Sequence, residues 1–204
     1  MSNLPDDLEG ELVARNGRQA LFEEIWDQMY RLHTNWRLYS TLFGDRQAVD
    51  VLLRSAIITF GAIQHLVREA IILGIQRLLD PGSGNRGRKT ASIESLLALM
   101  PPTDAPLRRR LRKDLDRLRR DCDDISKWRH RRIAHRDLST ALEEHPEPLE
   151  PIKIQTVWTA LNGLSAMLGT FSAHYQLGMS CDFEGAITDL DADELLRRLA
   201  ESKP

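Results

Sequence analysis

Ala56-Ile57-Ile58-Thr59-Phe60-Gly61-Ala62-Ile63-Gln64-His65-Leu66-Val67-Arg68-Glu69-Ala70-Ile71-Ile72-Leu73-Gly74-Ile75-Gln76-Arg77-Leu78-Leu79 is the most apolar run in the chain. Together with Leu52, the residues Ala56, Phe60, Ile63, Val67, Ile71, Ile75 and Leu78 recur at three- and four-residue steps, the period of one helical face. Ile57, Ile58, Leu66, Ile72 and Leu73 carry the apolar surface further round. A helix over 47–79 is therefore expected to be the most enclosed element, with the core centred on it. Gln64, His65, Arg68, Glu69 and Arg77 interrupt the run, which reads as a buried helix rather than a membrane span. Gly61 and Gly74 are placed to let neighbours approach closely.

Outward from this run the same period returns. Leu21, Phe22, Ile25, Met29, Leu32, Trp36 and Tyr39 give a helix over 18–43, stopped by Gly44-Asp45. Residues 1–17, with Pro5, Gly10 and Gly17 among acids, read as a mobile leader. After a breaker-rich loop over 80–89, a short helix is expected over 91–100, closed by Pro101-Pro102. Thr103 or Asp104 would cap the next helix, starting near Ala105, with Leu107, Leu111, Leu115, Leu118, Cys122, Ile125 and Ile133 as its stripe. Acids and prolines over 139–151 make a second loop. Ile154, Val157, Leu161, Leu164, Leu168, Phe171 and Tyr175 define a last long helix, ended near Gly178. Asp191 and Glu194 are spaced as a capping box before Leu195, Leu196 and Leu199. No segment alternates as a strand. The expected fold is an all-α, up-and-down four-helix bundle over 18–180, with a short extra helix and a small C-terminal helical appendage over 181–204.

With 204 residues, 42% hydrophobic and 28% charged, the chain is long enough for one domain with a proper core and is not compositionally disordered. Its formal net charge of −2 does not announce a nucleic-acid binder, so such a role must rest on where the charges sit. Cys122 and Cys181 stand far apart, without zinc-ligand spacing, which suits a reduced cytoplasmic chain. The acidic N-terminus lacks the basic and apolar regions of a signal peptide.

Charge segregates sharply in one place. Between Arg108 and Arg136 there are 13 Lys/Arg against 5 Asp. Over 108–120 the acids stand three and four residues from the bases, as in a solvated, ion-paired helix face. The stretch Lys127-Trp128-Arg129-His130-Arg131-Arg132-Ile133-Ala134-His135-Arg136-Asp137-Leu138 is different, because its one acid lies near the end. Histidine exchanges protons near neutral pH and arginine grips phosphate oxygens through a planar fork, so the combination suits phosphodiester chemistry. On a regular helix Arg129 and His135 lie about 120° and about 9 Å apart, too far to converge easily on one phosphate. Two copies facing across a two-fold axis would supply the missing partner.

The spacing Arg129-His130, then His135, resembles the signature of the HEPN superfamily. The phrases Arg132-Ile133-Ala134-His135-Arg136-Asp137 and Arg77-Leu78-Leu79-Asp80-Pro81 resemble its abortive-infection, AbiU-like branch. The resemblance implies a homodimeric, metal-independent endoribonuclease of a prokaryotic defence or toxin–antitoxin system, with RNA and an antitoxin protein as partners. In that reading His135 is general base on the 2′-hydroxyl or general acid on the leaving oxygen, and Arg129 steadies the five-coordinate phosphate. His130 orients the phosphate, and Lys127, Arg131, Arg132 and Arg136 track the RNA backbone. The 2′-hydroxyl requirement would leave DNA uncut. No metal, no other cofactor and no membrane are expected. The alternative is a catalytically silent helical module that binds RNA or a partner protein through the same basic face; a purely structural dimer is the third reading.

His33, His65, His145 and His174 are scattered singly and are expected at the surface or satisfied in the core. Trp26, Trp36, Trp128 and Trp158 fit core stripes, with base stacking a second reading for Trp128. The loop over 80–89 holds glycines and bases but lacks the phosphate-loop pattern, and reads as a plain crossover.

Overall fold

The computed structural model describes residues 6–81, 90–129, 152–187 and 191–201, with side chains from residue 14 onward. The elements are α1 (Asp6–Phe43), α2 (Arg46–Leu79), α3 (Ile93–Ala98), a 3-10 turn (Pro102–Asp104), α4 (Ala105–Asp121), α5 (Asp123–Trp128), α6 (Ile154–Tyr175), α7 (Phe183–Ala186) and α8 (Ala192–Glu201). The fold is an all-α helical bundle, and no strand occurs among the described residues. α1 packs chiefly on α2, α4 on α6, and α1 also meets α6.

α1 starts at Asp6, well ahead of residue 18. Residues 14–17 are exposed, so the apolar stripe marks only the packed part of a helix that runs on past the bundle. The turn to α2 is set locally. Gly44 donates its backbone N–H to Ser40, and a Cβ there would meet the Ser40 carbonyl oxygen at 2.3 Å. Asp45 then caps α2, accepting from the backbone N–H groups of Gln47 and Ala48 at 2.8 and 3.1 Å.

α2 departs from expectation in two ways. It is broken at Ala56 (φ −162°, ψ 78°), and it is not the most enclosed helix. Its C-terminal third is buried through Ile71, Ile72, Ile75, Leu78 and Leu79, whereas Ile57, Ile58 and Leu66 stay 61%, 85% and 63% exposed. Gly74 does allow close approach, since a Cβ would stand 3.1 Å from Leu32, but nothing lies within 4 Å of Gly61. The core centres instead on Phe22, Ile25 and Met29 of α1, the end of α2, and Leu161, Leu164 and Leu168 of α6. An apolar composition says that a surface seeks cover; it does not say that the same chain supplies it.

The helix expected to run unbroken from residue 105 into the basic motif is interrupted at Cys122 (φ −110°, ψ 19°). Cys122 is buried, and Asp123 and Asp124 open α5, where acids favour a new helix N-terminus. Asp104 makes no cap bond to α4. Its carboxylate accepts from the Tyr175 hydroxyl at 2.5 Å and meets His174 at 3.3 Å, tying the end of α6 to the start of α4. These bonds, the tyrosine's first, hold Asp104 below the usual carboxylate range. α4 and α6 approach so closely at Gly163 that a Cβ would stand 2.7 Å from Leu118.

The C-terminal segments pack onto the bundle. Phe183 enters the main core between Trp26 and His33. α8 covers Leu42, Leu52 and Phe60 at the α1–α2 corner. Glu194 pairs with Arg197 and Arg198 at 2.7 Å, where its spacing had suggested a turn back to the helix cap.

Candidate nucleic-acid interface

α5 carries the first part of the basic motif. Buried Ile125 anchors it, and Lys127, Trp128 and Arg129 follow on its last turn. Arg129 keeps helical geometry (φ −56°, ψ −50°), with its backbone N–H directed to Ile125 and Ser126. Its side chain is half-buried, and Lys127 reaches Asp123 at 2.9 Å with half its surface in water. His130, Arg131, Arg132, His135 and Arg136 lie outside the described residues, and so does the relation of Arg129 to His135. His145 lies there too, as does the 82–89 part of the glycine-rich loop.

α5 packs against α2, which brings in side chains that sequence reasoning did not assign to the site. The Arg68 guanidinium stands 5.4 Å from the centre of the Trp128 ring, a cation–π distance. Arg68 also reaches His65 Nδ1 at 3.4 Å, and His65 Nε2 lies 3.1 Å from the Glu69 carboxylate. The simplest proton arrangement is a neutral imidazole that accepts from Arg68 at Nδ1 and donates from Nε2 to Glu69. Trp128 packs against the core as its stripe position suggested, yet its cation partner comes from another helix. The i, i+3 and i, i+4 spacing of His65, Arg68 and Glu69 was a legible signal of a polar patch. Its apposition to Trp128 was not.

Beside Arg68 a small apolar cleft of about 60 Å³ opens between Trp36, Tyr39, Ile152 and Ile154. Further along α4, much of the positive charge is already engaged. Arg112 and Arg119 converge on Glu94 of α3 at 2.5 and 3.2 Å, Arg119 also meets Asp116 at 3.5 Å and donates to the Leu79 carbonyl at 2.8 Å, and Arg117 lies 3.7 Å from Asp121. The basic excess of 108–120 is thus partly structural, while Arg68, Lys127 and Arg129 gather where α5 meets α2. Among the described residues no three His, Cys, Asp or Glu side chains come together as metal ligands.

The family model for AbiU2, a HEPN family, matches residues 18–195. The chain belongs to the HEPN AbiU2 family. No curated protein and no solved structure matches it significantly. The AbiU2 match takes in all of α2 through α7 and the whole basic motif, so the helical bundle and the motif belong to one family domain. It begins where the apolar stripe of α1 begins.

The other histidines fall into structural roles. His33 is buried, stacks on Phe183 at 5.1 Å and lies 3.1 Å from the Ser165 hydroxyl. Burial pushes its pKa down to about 4 against a smaller opposing pull from Asp182, so it is neutral at pH 7. His174 belongs to the Asp104–Tyr175 cluster at the far end of α6.

Proposed function

We propose that this HEPN AbiU2 protein is a metal-independent endoribonuclease acting in prokaryotic defence or a toxin–antitoxin pair, as a homodimer with the site at the interface. The observation that carries the reading is the coincidence of the family match with a half-exposed Lys127–Arg129 turn, set beside Arg68 where α5 meets α2. His135 takes the 2′-hydroxyl proton, or returns one to the leaving 5′-oxygen, while the 2′-oxygen attacks its own phosphate and a cyclic phosphate forms. Arg129 stabilises the negative charge that grows on the five-coordinate phosphorus. His130 orients the phosphate, and Lys127, Arg131, Arg132 and Arg136 hold the flanking backbone.

Incubation of the full chain with total RNA in excess chelator tests this directly. Cleavage is expected to persist with chelator, to leave 2′,3′-cyclic phosphate ends, and to fall by about 100-fold or more in His135→Ala. RNA binding without cleavage, indifferent to His135→Ala but weakened by Arg131→Ala and Arg132→Ala, would establish the silent binding module instead.

A further inference from the structure

We propose that the exposed middle of α2 is the surface on which two copies of this chain pair, antiparallel and crossing at Gly61 and Ala62. The proposal rests on the dimer of the proposed function and names its surface.

Ile57, Ile58 and Leu66 are more than half exposed, and Leu53 and Leu73 extend the patch at 45% and 36%. A contiguous apolar strip on one helix is what soluble monomers avoid. At its centre Gly61 has open space where a Cβ would stand, and Ala62 is exposed, so these small residues serve no contact within the described chain. Small residues at a crossing let two helix backbones come close.

Charge chooses the partner and the register. In an antiparallel two-fold pair, facing residues have a constant sum of numbers. Centred between Gly61 and Ala62, Ile57 of one copy faces Leu66 of the other, Leu53 faces Ala70, and Arg54 faces Glu69. Every apolar residue then meets an apolar or small one, and the flanking charges are opposite. A slip of four residues one way sets Arg54 against Leu73 and Ile58 against Glu69; the same slip the other way sets Asp50 against Glu69. Self-complementarity of this kind is what an isologous interface demands. The break at Ala56 lies outside the crossing itself. By length and composition α2 could also cross a membrane, but Arg54, His65, Arg68 and Glu69 interrupt its exposed stretch, where a span would have to bury them.

Sedimentation equilibrium of the full chain is expected to show a dimer at about 10 μM. Ile58→Lys and Leu66→Lys alter exposed positions, so the fold should persist by circular dichroism while dimerisation weakens about 100-fold. Arg54→Glu and Glu69→Arg should each weaken it, and the two together should restore it. Oxidised Ala62→Cys should form a covalent dimer that the native chain, carrying Cys122 and Cys181, does not form; Leu66→Cys should not, because its two copies lie about 13 Å apart along the helix. A native chain monomeric at every concentration, a dimer indifferent to Ile58→Lys, cross-linking of Leu66→Cys in preference to Ala62→Cys, or a monomer that floats with phosphatidylcholine vesicles would each overturn the proposal. All these readouts are of association. A chain that pairs in this way and leaves RNA whole would refute the nuclease and not the interface.

Discussion

At the scale of single residues, His33 shows what burial does to a proton site. Its folded-state pKa of about 4 lies below the ordinary value of 6.5, so between these limits the unfolded chain binds more protons than the folded one. Stability from this residue is fully present above pH 6.5 and is lost as the pH falls through the window toward 4. The shift corresponds to about 2–3 kcal/mol. Urea unfolding at pH 7 and pH 5 should show the decline, and His33→Gln, which carries no proton equilibrium, should flatten that part of the profile. A profile identical in both chains would assign the acid sensitivity to another group. Gln176 makes a different kind of point: it takes the left-handed conformation (φ 53°) that closes α6, a place where glycine is the usual occupant.

At the scale of elements, α3 is a short helix whose ends and face must be held from outside. Ser92 caps it, accepting from the Ser95 N–H at 3.3 Å, and Ile93, Leu96 and Leu97 are buried. Its tie to α4 is Glu94, only 17% exposed, gripped by Arg112 and Arg119. Since Arg119 also donates to the last turn of α2, one carboxylate organises three helices. Glu94→Gln is expected to lower the unfolding free energy by about 1–2 kcal/mol, discounted because Arg112 is 44% exposed. The loss should shrink in high salt. A salt-independent loss of the same size would mean that packing, rather than charge, holds α3 in place. The break at Cys122 belongs to this scale as well, because it lets α5 turn its Trp128 toward Arg68 of α2.

At the scale of the molecule, the proposed chemistry makes activity and dimerisation inseparable. Arg129 and His135 cannot share a face of one regular helix, whereas a second copy can supply the absent member. Mixing Arg129→Ala with His135→Ala subunits, each inactive alone, should therefore recover part of the cleavage in the heterodimer. Mixing that restores nothing, or a monomer that cuts RNA at full rate on dilution, would place the whole site within one chain.

Much of this protein is written locally in its chain. The stripes of α1 and α6, the Gly44-Asp45 turn, the basic motif and its family phrases all depend on residues a few positions apart, and helical period and cap chemistry are short-range properties. What lay beyond reach depends on distant partners. Nothing near Asp104 foretells that Tyr175 will take its carboxylate, and nothing near Cys122 says that its burial coincides with a helix break. The same holds for α2: its sequence declares apolar residues nearly all round, but only the packed structure decides that 71–79 is covered from within while Ile57, Ile58 and Leu66 face outward. Burial is a relation between segments, and the chain specifies it through their joint packing rather than through any one of them.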